Sequence, residues 1–207
     1  MARDFYEDLF TIGRSKRLYD RIKRRASVLN LQNTRVGVKA RRGDGSFGEL
    51  VPSAESSNED GYAVGRGPIA TIEIGVEVKI LFKAMIKQID RVINDLRKQA
   101  EHFRSKHGHP ICVAVVGVNY ADHCTSYEGV RSYVTDGKRY KHPIQEAADA
   151  ESRLLRLAAP EFDEFLALDF EANNEPPFAF SWRDLNQTRL KYGAILARVS
   201  NRYENGT

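Results

Sequence analysis

Glu77 and Lys79 are the residues of this chain whose types and spacing best suit chemistry. They close the run Ile72-Glu73-Ile74-Gly75-Val76-Glu77-Val78-Lys79, in which apolar and polar residues alternate. In an extended strand, residues two apart point to the same side. A carboxylate and an ammonium therefore stand side by side. Ile72, Ile74, Val76, Val78 and Ile80 take the opposite, buried side, and Glu73 is expected to share the face of Glu77. With a second carboxylate from a neighbouring strand, such a face can hold Mg²⁺. The ion would polarise a phosphate and acidify a bound water, and the lysine would hold or deprotonate that water.

The flanking sequence must position this pair. Residues 4–30 read as helix, in two pieces divided near Gly13, with Phe5, Leu9 and Ile12 and then Leu18, Ile22 and Leu29 at helical spacing. Residues 35–41 and 47–51 read as strands around the turn formers 42–46, making a hairpin over 35–51. Residues 53–68 are a polar loop, and 69–81 is the alternating strand. The spacing of Met85, Ile89, Val92, Leu96 and Phe103 predicts a helix over 82–106, stopped by Gly108 and Pro110. Ile111 to Val118 is a continuous apolar run, as in a strand buried on both faces. Strand, helix and strand in this order make a parallel crossover. Residues 119–142 read as a polar, Tyr-rich connection. A helix at 143–158, short strands at 165–170 and 178–182, and a helix at 184–202 follow. The whole is a mixed α/β chain with one central sheet, read as a single domain over 1–207.

This order, with an acid-x-Lys tripeptide on its third strand, resembles the PD-(D/E)xK nuclease superfamily, the restriction-endonuclease-like fold. The resemblance covers about residues 4–118, with 143–203 as a C-terminal extension. It implies an α-β-β-β-α-β core and Mg²⁺-dependent endonucleolytic hydrolysis of phosphodiester bonds, with Mn²⁺ able to substitute and DNA favoured over RNA. It further implies that Glu77 and the Val78 carbonyl bind the ion and that Lys79 positions the water. The family's upstream acid is expected at Glu49, in Gly48-Glu49-Leu50-Val51, or else at Asp60; the family's Pro-Asp pair is not present as such. Glu7 and Asp8 on the first helix are weaker acids for the site, and Gln88 is a weaker phosphate contact. Lys83 and Lys87, one turn apart just after the tripeptide, suit a nucleic-acid backbone. So do Arg24 and Arg25 in the basic N-terminal third, where residues 1–42 hold twelve Lys/Arg against four Asp/Glu. A solvated helix face is the alternative for these cations.

Composition sets the outer bounds. The chain has 207 residues, 42% hydrophobic and 29% charged, with a formal net charge of +4. No apolar run is long enough to span a bilayer. The early charges at Arg3 and Asp4 argue against a signal peptide, and two cysteines without a pairing pattern suit a cytoplasmic protein. His107-Gly108-His109 and Asp122-His123-Cys124 lack the spacing of a zinc site. Cys112 reads as core. Two other readings are kept. One is a metal-free binding or assembly module on the same fold. The other is a defence-system effector that needs a partner protein. A homodimer is compatible with each.

Overall fold

The computed structural model describes residues 2–35, 38–39, 45–82, 85–105, 108–138 and 141–206, with side chains throughout except at 31–35, 38–39 and 85. Two helices come first, α1 (Ala2–Ile12) and α2 (Lys16–Lys23). Gly13, at φ 62°, lets the chain leave α1. Ser15 then caps α2 by accepting from the Leu18 amide at 3.0 Å. The helical reading of 24–30 is not met. Arg25 takes φ 55° and the chain turns at once into β1 (Ser27–Arg35). Strands β2 (Val38–Lys39) and β3 (Gly45–Glu49) follow, and the hairpin is β1 with β3, Leu29 facing Phe47 and Ser27 facing Glu49.

The stretch expected as one strand over 69–81 is two. β4 (Arg66–Ile69) pairs parallel with β1, and β5 (Ile74–Leu81) lies between β3 and the next strand. After β5 come α3 (Met85–Arg104) and β6 (Ile111–Asn119). The Tyr-rich connection contains a separate two-stranded ribbon, β7 (Cys124–Glu128) and β8 (Arg131–Thr135). Then follow α4 (Pro143–Leu157), β9 (Glu164–Glu171), β10 (Ser181–Trp182) and α5 (Leu185–Asn205).

The central sheet runs β10-β9-β6-β5-β3-β1-β2, with β4 beside β1. β6 is parallel to both β5 and β9, and all nine of its residues are buried. That is why its sequence is apolar throughout rather than alternating. Two crossovers in succession, through α3 and then α4, step the same way across the sheet. Right-handed connections of this kind put both helices on one face. There α3 and α4 enclose Cys112, Ala114, Val116 and Val118. The other face carries α1, α2 and α5, whose Phe5, Leu9, Leu18, Ile22, Ile195 and Val199 pack on Ile74, Val76, Val113, Val115, Leu166 and Leu168. The C-terminal part is thus built into the sheet and its core. Among the described residues no helix is long and apolar enough to cross a membrane.

Candidate active site

β5 presents two different faces, as its alternation requires. Val76 belongs to the core beneath α1 and α5, and Val78 packs against it. Glu77 and Lys79 point the other way, level with Ala114 and Val116 of β6. This is the α3 side, because a Cβ on Gly75 would come within 2.6 Å of the Phe103 ring of α3. Only glycine lets that ring lie on the strand. Glu77 is 3% exposed. Taking a carboxylate out of water costs several kcal/mol, on the order of the attraction a close cation returns. The cation is Lys79, whose Nζ stands 2.6 Å from Glu77 Oε1, with the lysine side chain 33% exposed. The pair therefore has a buried acidic end and a solvent-reaching basic end.

Glu73 does not share this face. Its amide donates to the Phe47 carbonyl before β5 begins, and Ile72 packs into the α3–α4 core. The alternation breaks between β4 and β5, and Glu73 turns to the α1–α2–α5 side. There its carboxylate is met by Arg21 Nη2 at 2.5 Å, Ser27 Oγ at 2.9 Å and the Tyr203 hydroxyl at 2.5 Å. Arg21 Nε also donates to Ser27 Oγ at 2.6 Å. Burial, with the Glu73 charge beside it, pushes the Tyr203 phenol well above its usual range.

The structure corrects both expected upstream acids. β3 runs antiparallel to β5, with Gly45 opposite Val76 and Phe47 opposite Ile74. Glu49 lies further along β3 in the direction away from Glu77, at a separation of about 16 Å along the strands. It is exposed and pairs in register with Ser27. Two carboxylates that far apart cannot share an ion with ligand distances of about 2.1 Å. Asp60 sits in an exposed turn fastened to α1, on the other face of the sheet. Its neighbour Glu59 pairs with Arg3 and Arg66, and Glu7 accepts from the Ala63 and Val64 amides at 3.0 and 2.8 Å. Glu7 is thereby occupied in holding this loop. Asp8 accepts from the Tyr192 hydroxyl at 2.6 Å, also on the α1–α5 face.

Among the expected nucleic-acid contacts, Lys87 is exposed in the first turns of α3, beside an exposed Gln88. Lys83 lies outside the described residues, as does His107. Arg24 and Arg25 are exposed, but they precede Ser27, at the end of the sheet where Glu49 lies. The structure does not bring them to Glu77. Among the described residues no three of His, Cys, Asp and Glu gather to hold a metal. Burial pushes the Cys112 thiol up to about 11.

Asn119 escaped the sequence reading. It is 2% exposed at the carboxyl end of β6. Its Nδ2 donates to the Phe82 carbonyl at 3.2 Å and the Ala172 carbonyl at 2.7 Å. Its Oδ1 accepts from the Ala121 and Ala172 amides, both at 3.1 Å. One amide thus ties together the carboxyl ends of β5, β6 and β9, the edge at which open parallel sheets hold their ligands. The available signal was an Asn closing an otherwise apolar run. Comparison with protein-family models, curated proteins and solved structures returns no match.

Proposed function

We propose that this chain is a metal-dependent endonuclease of the PD-(D/E)xK type, acting on DNA, with Glu77 and Lys79 at its centre. The observation that carries the reading is the buried Glu77 carboxylate joined to Lys79 at 2.6 Å on the strand between β3 and β6. A stabilising role alone is a weak reason to bury such a pair, since apolar residues of like volume often do as well or better.

Mg²⁺ is usually held by one or two carboxylates together with waters and substrate phosphates. Glu49 and Asp60, the two acids expected upstream, do not stand beside Glu77, so Glu77 is the carboxylate on which this reading rests.

Glu77 and the Val78 carbonyl would hold Mg²⁺ or Mn²⁺. The ion would supply charge for the developing phosphorane and a more acidic bound water. The protein's own part is threefold. Glu77 is held by the sheet in one orientation. Lys79 would donate from its ammonium to the attacking water and orient it. Lys87 extends a cation toward the substrate backbone.

The test is cleavage of plasmid and linear DNA with Mg²⁺ or Mn²⁺, comparing the natural chain with Lys79→Ala. Metal-dependent cutting that vanishes in the variant is the expected result. No cutting by either protein, with calorimetry showing no metal bound, would favour the metal-free binding module instead.

A further inference from the structure

The face of the sheet opposite Glu77 is covered unevenly. α5 presents one stripe to it. Leu185, Thr188, Arg189 and Tyr192 recur there at helical spacing and run on into Ile195, Val199 and Tyr203. The later residues are buried in the core, whereas Leu185 is 43% exposed. Beneath the first turns of this stripe, helix and sheet leave a cleft of about 340 Å³. A volume of that order accommodates a small organic ligand.

The floor of the cleft is apolar and broad. Val76 and Val78 of β5, Val115 of β6 and Leu168 of β9 form it. Three adjacent strands at about 4.8 Å spacing make it about 10 Å wide, and the step from Val76 to Val78 makes it about 7 Å long. That is a slab for a fused pair of rings, not a tunnel for an extended chain. The sides carry aromatic rings from three further elements, Phe5 of α1, Trp182 of β10 and Tyr192 of α5. A flat aromatic ligand packs on such walls by offset stacking or edge contact.

The polar groups of the rim are few, and all but one have partners. The Tyr192 hydroxyl donates to Asp8 at 2.6 Å, and the Thr188 hydroxyl donates to the Asp184 carbonyl at 2.8 Å. A hydrogen bond from the amino terminus holds the Asp4 carboxyl below its usual range, so this charge is met. Arg189 is the exception. It holds a place in the stripe that α5 turns to the sheet, and among the described residues it makes no hydrogen bond or ion pair. A guanidinium at the mouth of an apolar cleft selects an anion, and its planar fork of donors matches a carboxylate.

We propose that this cleft binds an aromatic carboxylate, with its rings on the valine floor between Phe5, Trp182 and Tyr192 and its carboxylate on Arg189. The cleft and Glu77 lie on opposite faces of the sheet, and the proposal does not rest on the nuclease reading.

Trp182 is the one tryptophan of the chain, so a single indole N–H resonance reports on the cleft. The test is calorimetric titration of naphthoate into the natural chain and Arg189→Ala at pH 7, with that resonance followed in the natural chain. Naphthamide, the neutral counterpart, and decanoate, an unbranched acid, are titrated beside it. Thermal unfolding should not separate the two proteins, because Arg189 is exposed and unpaired. The expected result is one naphthoate bound per chain with displacement of the Trp182 resonance, and binding roughly tenfold weaker in Arg189→Ala. Naphthamide and decanoate should bind the natural chain more weakly than naphthoate. No naphthoate binding at millimolar concentration, a Trp182 resonance that does not move, or equal binding by Arg189→Ala overturns the proposal. Naphthamide binding as tightly as naphthoate overturns the role of the charge, and decanoate binding as tightly overturns the aromatic class. Each of these outcomes leaves the cleavage test of Lys79→Ala untouched.

Discussion

Glu73 and Glu77 stand four residues apart in one segment and have opposite surroundings. Glu73 is enclosed by a guanidinium and two hydroxyls drawn from α2, β1 and α5. Its role is to lock helices onto one end of the sheet. Glu77 is more deeply buried, in the middle of β5, and its close cation comes from its own strand and reaches solvent. The difference shows that residue type and spacing on a strand do not assign a role. An acid met by donors from several elements is a fastener. An acid whose close cation comes from its own strand and reaches solvent is the one proposed for chemistry.

The largest way to break this comparison is Lys79→Ala. Cleavage per folded molecule should fall by about 10³-fold or more, within the range for loss of a positioned acid or base, and the thermal midpoint should fall as well, because the variant leaves the buried Glu77 carboxylate without this cation. A plasmid-nicking assay run beside thermal unfolding reads both. A large drop in stability with cleavage retained would make the Glu77–Lys79 pair a second fastener.

Glu73→Ala should do the converse. Removing one member of a partly buried network leaves Arg21 and Tyr203 without their acceptor and costs about 2–4 kcal/mol. For a chain of this size that is a fall of roughly 5–15 °C in midpoint. Cleavage per folded molecule should persist. Gly75→Ala is expected next, at about 1–3 kcal/mol, because the added methyl collides with Phe103. Retained stability there would mean that α3 is not seated on the face of Glu77 as described.

The smallest effect concerns Asp169. Burial, then the nearby Glu151 charge, raises its carboxyl above the usual range. A raised folded value means that the folded state holds the proton more tightly. Stability is therefore lost as pH rises through that value. Asp169→Asn should lift the midpoint by about 1–3 °C at pH 7 and make no difference below about pH 4, near the unfolded value. A gain that persists in acid would show that the amide acts through packing.

The crossover unit was legible in the sequence because its signals are strong and local. The apolar run of β6, the helical stripe of α3 and the alternation of 74–81 each match one period. The helix through residue 30 was misread because Leu29 falls two turns after Ile22, a spacing that the positive φ of Arg25 makes accidental. The ribbon carries no apolar alternation, since neither face is buried, so nothing distinguished it from a polar loop. The second acid was sought after β3 began, on a pattern of acid followed by apolar residues. Antiparallel pairing with β5 carries Glu49 away from Glu77, and no one-strand pattern contains that register.

Calorimetric titration of Mn²⁺ into the natural chain, Glu77→Gln and Glu73→Gln tests the central claim most directly. The account predicts binding by the natural chain that is lost in Glu77→Gln and kept in Glu73→Gln. Equal binding by all three, or none by the natural chain, would contradict it.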